Sequence, residues 1–197
     1  MPNPVMIMDY ANLYCGAAPD DDTASNHLVI TELKLPSLDV QYVDHRAGGA
    51  PIAIEIDTVM SRLESTFSLV GITPQVIELI NAWEPEQNVF FAYGNVRDQL
   101  TGVSIQAAAA FRGQLGRVDP QNWRKGDVMH INYAIRGIVH YEFALADEQI
   151  FFWDFFTNTR IVGGVNQNRV INSNLHVPTV TPEVLLPSVI PVVQPPV

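Results

Sequence analysis

From residue 88 to residue 158 the chain runs through one stretch of apolar and polar alternation after another, and the connections at 98 to 102 and 146 to 147 are too short to hold a crossover. Strands linked so closely pair antiparallel, because a parallel return needs a dozen or more residues. "NVFFAYGNVRD" (88 to 98) passes through "DQLTG" into "VSIQAAAAFRG" (103 to 113), where Val103, Ile105, Ala107, Ala109 and Phe111 alternate with Ser104, Gln106 and Arg112. That is a hairpin pattern. A longer loop, "GQLGRVDPQNWRKGD" (113 to 127), precedes "VMHINYAIRGIVHYEFAL" (128 to 145). "DEQIFFWDFFTN" (147 to 158) closes the set, paired to its predecessor through a turn at Ala146 and Asp147.

Earlier segments add to the same picture. "DDDTASN" (20 to 26) is a polar break before a strand, "HLVITELKL" (27 to 35). In "RLESTFSLVG" (62 to 71) Leu63, Phe67 and Leu69 share one parity, with Arg62, Glu64, Thr66 and Ser68 on the other, as in a strand with one wet face. One segment reads as helix, 73 to 83. Thr73 can cap it, Pro74 suits the first helical position, Val76, Leu79, Ile80 and Trp83 make an apolar stripe, and Pro85 forbids continuation. "LDVQYVDHRAGGAPIAIEID" (38 to 57) alternates, breaks at Gly48 and Gly49, and alternates again without the polar turn of a tight hairpin. After residue 176 six prolines stand among Val, Leu and Ile, which rules out helix or sheet interior and leaves an extended arm with apolar side chains, suited to lying on a surface.

A chain of 197 residues suits one domain and can bury roughly 70% of its unfolded surface. With 47% apolar and only 16% charged residues, more apolar surface exists than one core normally hides, and subunit contacts are a natural use for it. The formal net charge of −10 argues against a sequence-reading nucleic-acid binder, yet suits a surface that DNA must slide past. Cys15 is the single cysteine, so neither an intrachain disulfide nor a thiolate metal cluster can form. The first residues lack a basic region and Asp9 interrupts their apolar run, which makes a poor signal peptide. No stretch approaches the roughly 18 apolar residues of a membrane span, and the chain reads as cytosolic where it is made.

Candidate chemistry is sparse. Asp20, Asp21 and Asp22 near His27 lack calcium-loop spacing and read as a solvated loop. Asp44 and His45 beside Arg46 could form an acid–base pair or simply a polar loop. His130 and His140 share a strand parity ten residues apart and read as satisfied strand histidines. Ser61, Ser68 and Ser104 have no nucleophile-elbow context, and no phosphate loop or dinucleotide fingerprint is present. Arg112, Arg117, Arg124 and Lys125 gather around Trp123; with Asp119 and Asp127 among them, a protein contact loop is the better reading than a nucleic-acid patch. Nothing joins a nucleophile, a base and an orienting group, so no enzyme, no cofactor and no metal is expected.

Taken in order, "ANLYCG" (11 to 16), "VITELKLPSL" (29 to 38), "DHRAGGAPIAIEID" (44 to 57), "ESTFSLVGITPQVIELI" (64 to 80), "VFFAYGNVRDQLTG" (89 to 102), "AAFRGQLGRVD" (109 to 119) and "KGDVMHINYAIRGIVHYEFALADEQIFFWD" (125 to 154) resemble the major tail tube proteins of contractile-tailed bacteriophages, over about residues 5 to 175. The resemblance implies a mainly β fold, an antiparallel β-barrel or sandwich with one flanking α-helix, extended loops and the Pro-rich C-terminal arm. Residues 1 to 176 would form the tube domain and 177 to 197 the arm.

It also implies a structural role. Six copies would form a ring, and rings would stack into a hollow tube in the virion, related to the tubes of R-type pyocins and type VI secretion. A sheath protein would surround it, a baseplate or tail-tip initiator and a tail terminator would bound it, and the tape measure protein and DNA would pass through its lumen without specific binding. Residues 44 to 57, with Asp44, His45, Arg46, Gly48, Gly49, Ile52 and Ile54, resemble the loop that stacks one ring on the next. Arg117, Trp123, Arg124 and Lys125 would make a second subunit contact, and wet-face positions such as Glu64 and Gln106 are candidates for the lumen. A soluble β-sandwich module binding carbohydrate or protein through Trp83, Trp123 and Trp153 is the rival; it requires those rings on one exposed face. The insertion at 18 to 26 and the arm exceed the family pattern.

Overall fold

The computed structural model describes residues 5–16, 22–46, 48–49, 51–80, 87–146, 148–178 and 182–186. Its first strand, β1 (Met6–Cys15), was not legible as one, because Asp9 and Asn12 interrupt the alternation. A bulge between Met8 and Tyr10 absorbs the irregularity, and Asp9 accepts two hydrogen bonds from Arg97, at 2.8 and 3.1 Å. A 3-10 turn (Asp22–Ala24) leads to Asn26, a buried amide whose side chain donates to the Leu13 and Ala24 carbonyls and ties this polar segment to β1.

Next come β2 (Ile30–Lys34), β3 (Val40–His45), β4 (Ile54–Met60) and β5 (Ser65–Val70). The helix α1 (Pro74–Ile77) is a single turn, much shorter than the stripe to residue 83 suggested. Thr73 makes no side-chain cap, Val76 is buried in the core with Ile77 and Leu79 packed partly against it, and Ile80 is exposed, so the packed stripe ends short of residue 83. Trp83 and Pro85 lie outside the described residues.

The strands β6 (Asn88–Asp98), β7 (Ser104–Pro120), β8 (His130–Leu145) and β9 (Glu148–Asp154) form the antiparallel series that the alternation predicted. β7 runs well into the stretch expected as a loop. Bulges between Arg112 and Gln114 and between Leu115 and Arg117 take up the glycines that break the alternation, so pairing with β8 continues to Pro120. Three further elements were unread in the sequence: β10 (Thr159–Val162), β11 (Val165–Asn166) and α2 (Arg169–Asn174).

The main sheet has nine strands in the order β1-β6-β7-β8-β9-β10-β11, with β5 also on β8 and β2 on β5; among the described residues it does not close. β8 explains the shape. Its first half, residues 130 to 135, pairs with β5 and its second, 140 to 145, with β9, while β7 flanks both halves on the other side. The bulged bend in β7 lets the two half-sheets face each other. A Cβ on Gly113 would sit 3.0 Å from the Arg136 carbonyl oxygen and 3.1 Å from Ile135 and Ile138, so the strands approach there as only glycine allows.

Between the half-sheets lies the core. Phe67, Leu69, Leu115, Ile131, Tyr133 and Ile135 meet Leu13, Phe90, Ala109, Phe111, Tyr141 and Phe151. Phe67 stacks on Tyr133 and Phe90 on Phe111, with centroids 4.8 and 5.6 Å apart. Each such side chain fully buried contributes about 1.5–3 kcal/mol. The opposite face of the upper half-sheet is covered too. Phe91, Ala108, Ala110 and Ala144 form a second apolar cluster with Leu186, so part of the Pro-rich arm lies on its own subunit.

Candidate assembly interface

β3 and β4 form a two-stranded ribbon outside the main sheet, so residues 44 to 57 are the upper part of a β-hairpin rather than an open loop. Its base is fastened by Ser61, which donates its backbone N–H to the Asp39 carbonyl at 2.8 Å, and by Met60 Sδ against Arg160 at 3.1 Å. Gly48 and Gly49 sit in the turn at the tip. Neither is left-handed, and nothing lies within 4 Å of a Cβ at either; they supply room.

The register sorts the ribbon into two unlike faces. Asp44 stands opposite Glu55 and Tyr42 opposite Asp57, which puts three carboxylates on one side. Val43 opposite Ile56 and His45 opposite Ile54 make the other side apolar. Val43, Ile54 and Ile56 are 58%, 59% and 44% exposed, and Ile52 beside the tip is exposed as well. An isolated two-stranded hairpin is marginal in water, and like charges directly opposite each other weaken it further. The arrangement calls for apolar cover on one face and cations near the other.

Two further surfaces are open. The seam between β1 and β2 holds a cavity of about 450 Å³ lined by Met8, Tyr10, Ile30, Leu33 and Phe143 among others. Met6, Ile7, Met8 and Tyr10 are exposed on β1, at an end of the sheet order; such edges invite pairing with another chain. The second surface is the connection from β7 to β8, where Trp123 is 78% exposed beside exposed Arg124 and Lys125. Arg117 does not belong to it: it lies on β7, paired with Asp119.

The lumen candidates are not brought together. Glu64 precedes β5 and pairs with Arg136 at 3.3 Å. Gln106 sits half-buried on β7, in the other half-sheet, opposite Asn95. For the rival module, Trp123 is exposed on the connection from β7 to β8, whereas Trp153 lies on β9 and packs against the core. In "FFWDFF" Phe151 and Phe152 are buried, while Phe155 and Phe156 are exposed in the turn after β9.

The one concentration of buried ionisable groups escaped the sequence reading. His140, read as a satisfied strand histidine, has Glu142 at 2.7 Å and Asp154 at 3.0 Å, all three buried; His130 stands half-exposed at the start of β8. Shared parity of His140 and Glu142 was visible, whereas Asp154 joins them only through the β8–β9 register. Burial pushes His140 down, but hydrogen bonds to Glu142 and Asp154 outweigh it and leave the imidazole above its ordinary value. No group of three or more His, Cys, Asp and Glu among the described residues could hold a metal ion.

The family model described as Phage tail tube protein FII matches residues 21–175. The chain belongs to this family. A phage tail tube protein is a structural subunit and not an enzyme. Among solved structures, the fold is similar to a chain of the sheath-tube complex of the PVC extracellular contractile injection system in its extended state, at 8% identity and a TM-score of 0.48, over 76% of this chain and 92% of that one. It is similar to a chain of the anti-feeding prophage baseplate, at 10% identity and 0.49, over 73% and 97%. Hcp1 from Salmonella typhimurium is similar at 10% identity and 0.44, over 77% and 99%. No curated protein matches in sequence.

Proposed function

We propose that this tail tube subunit assembles into hexameric rings that stack into a hollow conduit inside a contractile sheath, through which the phage genome leaves for the host cell. The observation that carries the reading is the β3–β4 hairpin, whose apolar face, Val43, Ile54 and Ile56, is left exposed by the described residues. A neighbouring copy in the next ring supplies that cover. Its acidic face, with Asp44, Glu55 and Asp57, suits the basic connection of another copy, where Arg124 and Lys125 flank Trp123. Sheet edges at β1 and β2 join neighbours within a ring. Each ring carries six times the chain's −10, and the part facing the lumen repels DNA, so the genome slides without sticking. Sheath, initiator, terminator and tape measure protein are the partners this role requires.

Negative-stain electron microscopy of the concentrated protein, with size-exclusion chromatography beside it, tests the reading. Hollow tubes or six-fold rings are expected. A monomer that persists after tail-tip components are added overturns it.

A further inference from the structure

The face of the β6–β7–β8 half-sheet turned away from the main core carries a built site remote in sequence from the β3–β4 ribbon. Phe91, Ala108, Ala110 and Ala144 form a trough of mostly small side chains, and Leu186 is buried in it. The fully buried carboxylate of Glu142 lies at its floor. Oε1 of Glu142 accepts the Leu185 N–H at 2.6 Å and lies 2.7 Å from His140 Nε2, while Oε2 accepts the Leu186 N–H at 3.2 Å. His140 Nδ1 is 3.0 Å from Oδ2 of Asp154, whose Oδ1 accepts the Thr157 N–H and hydroxyl at 2.7 and 2.8 Å. At the rim Arg112 donates to Glu183 at 3.0 Å.

Proton counting makes this more than packing. A neutral imidazole has one N–H and one lone pair, yet both ring nitrogens of His140 face carboxylate oxygens. Both oxygens of Glu142 already accept backbone donors, so the cluster is satisfied only when it holds one proton more than neutral His140 with two carboxylates. Without it, a lone pair confronts an anion at hydrogen-bond distance and buried Glu142 loses its cation, a costly state that water entry would relieve. Lifting residues 182 to 186 off the trough admits that water.

We propose that the trough is a binding site for an extended peptide strand presenting successive N–H groups, that its occupant is this chain's own segment 182–186, and that occupancy is coupled to the proton shared by His140, Glu142 and Asp154. The charged groups facing the cluster are Glu142 from β8, Asp154 from β9, Arg112 from β7 and Glu183 from the segment. Tyr14 and Tyr93 border the trough, and burial first, then the neighbouring Tyr14, pushes Tyr93 up, away from neutral pH. His140 lies above its ordinary 6.5, so docking is at full strength below that pH and is lost as pH rises through the raised value. Burial pushes Asp154 up, but bonds from His140 and Thr157 hold it below 3.8, so the lower limit lies in acid.

Hydrogen exchange on the full chain tests this, reading the Leu185 and Leu186 amides after division by their intrinsic rates. Normalised protection is expected to be high at pH 6 and to fall above the His140 titration by up to about tenfold per pH unit, the ceiling for one coupled proton. His140→Gln should abolish that pH dependence, and Glu142→Gln should remove protection at every pH. Arg112→Met should weaken protection equally at all pH values while keeping the pH dependence. Amides of β7 and β8 report whether each variant is folded. Protection in the unaltered chain that stays flat between pH 6 and 9 overturns the proposal without any variant, as does an unchanged pH profile in folded His140→Gln.

Discussion

The nine-stranded sheet and the β3–β4 ribbon use the same residue types and meet opposite fates. In the sheet, Ile135, Tyr133 and Phe111 are no more than 2% exposed, whereas Val43 and Ile54 in the ribbon are more than half exposed. Both put an apolar row on one face. The difference lies in what stands opposite: a second half-sheet of the same chain in one case, and in the other nothing among the described residues. Alternation therefore reports that a face will be covered and is silent about whose side chains do the covering.

The largest effect is expected where the cover must come from another copy. Ile54→Asp should leave the monomer within about 0.5 kcal/mol of the original in chemical denaturation, while pelleting and electron microscopy show no polymer; Ile54→Val should restore it. In the sheet the ranking inverts. Phe90→Ala, in the core against Phe111, should cost about 3–5 kcal/mol of folding stability, measured by the shift of the denaturation midpoint. Gly113→Ala probes the bend, where the added methyl meets the Arg136 carbonyl at 3.0 Å, and about 1–3 kcal/mol should be lost. The smallest effect belongs to Tyr133→Phe. The buried Tyr133 hydroxyl has no partner among the described residues, so its removal should be neutral or stabilise by up to about 1 kcal/mol in the same assay.

Legibility in the sequence followed the same division. The strands β6, β8 and β9 and the first part of β7 were readable because alternating stretches meet at the short connections 98 to 102 and 146 to 147. β1 was not, since Asp9 sits in a bulge and only its pairing with β6 reveals a strand. The extension of β7 through Gly113 and Gly116 was hidden for a related reason: bulges preserve pairing while breaking the period. α1 was overread because a helical stripe says which residues could share a face, whereas the core buries Val76, packs Ile77 and Leu79 and leaves Ile80 exposed. The residues of the hairpin were picked out, though its two-sided character depends on a register that pairs Asp44 with Glu55. The His140 cluster was hidden for a like reason: the turn at Ala146 and Asp147 told that β9 lies beside β8, but only the register sets Asp154 opposite His140.

β8 is paired along its first half to β5, along its second to β9, and along almost all of its length to β7. A pull along this strand loads its lateral hydrogen bonds in parallel, so many must yield together, whereas a pull that peels an edge strand opens them one at a time. Stiffness of the subunit is therefore directional, greatest along β8. In the sheathed conduit proposed above, the orientation of that one strand relative to an axial load would govern how much of the load is transmitted and how much is absorbed as deformation.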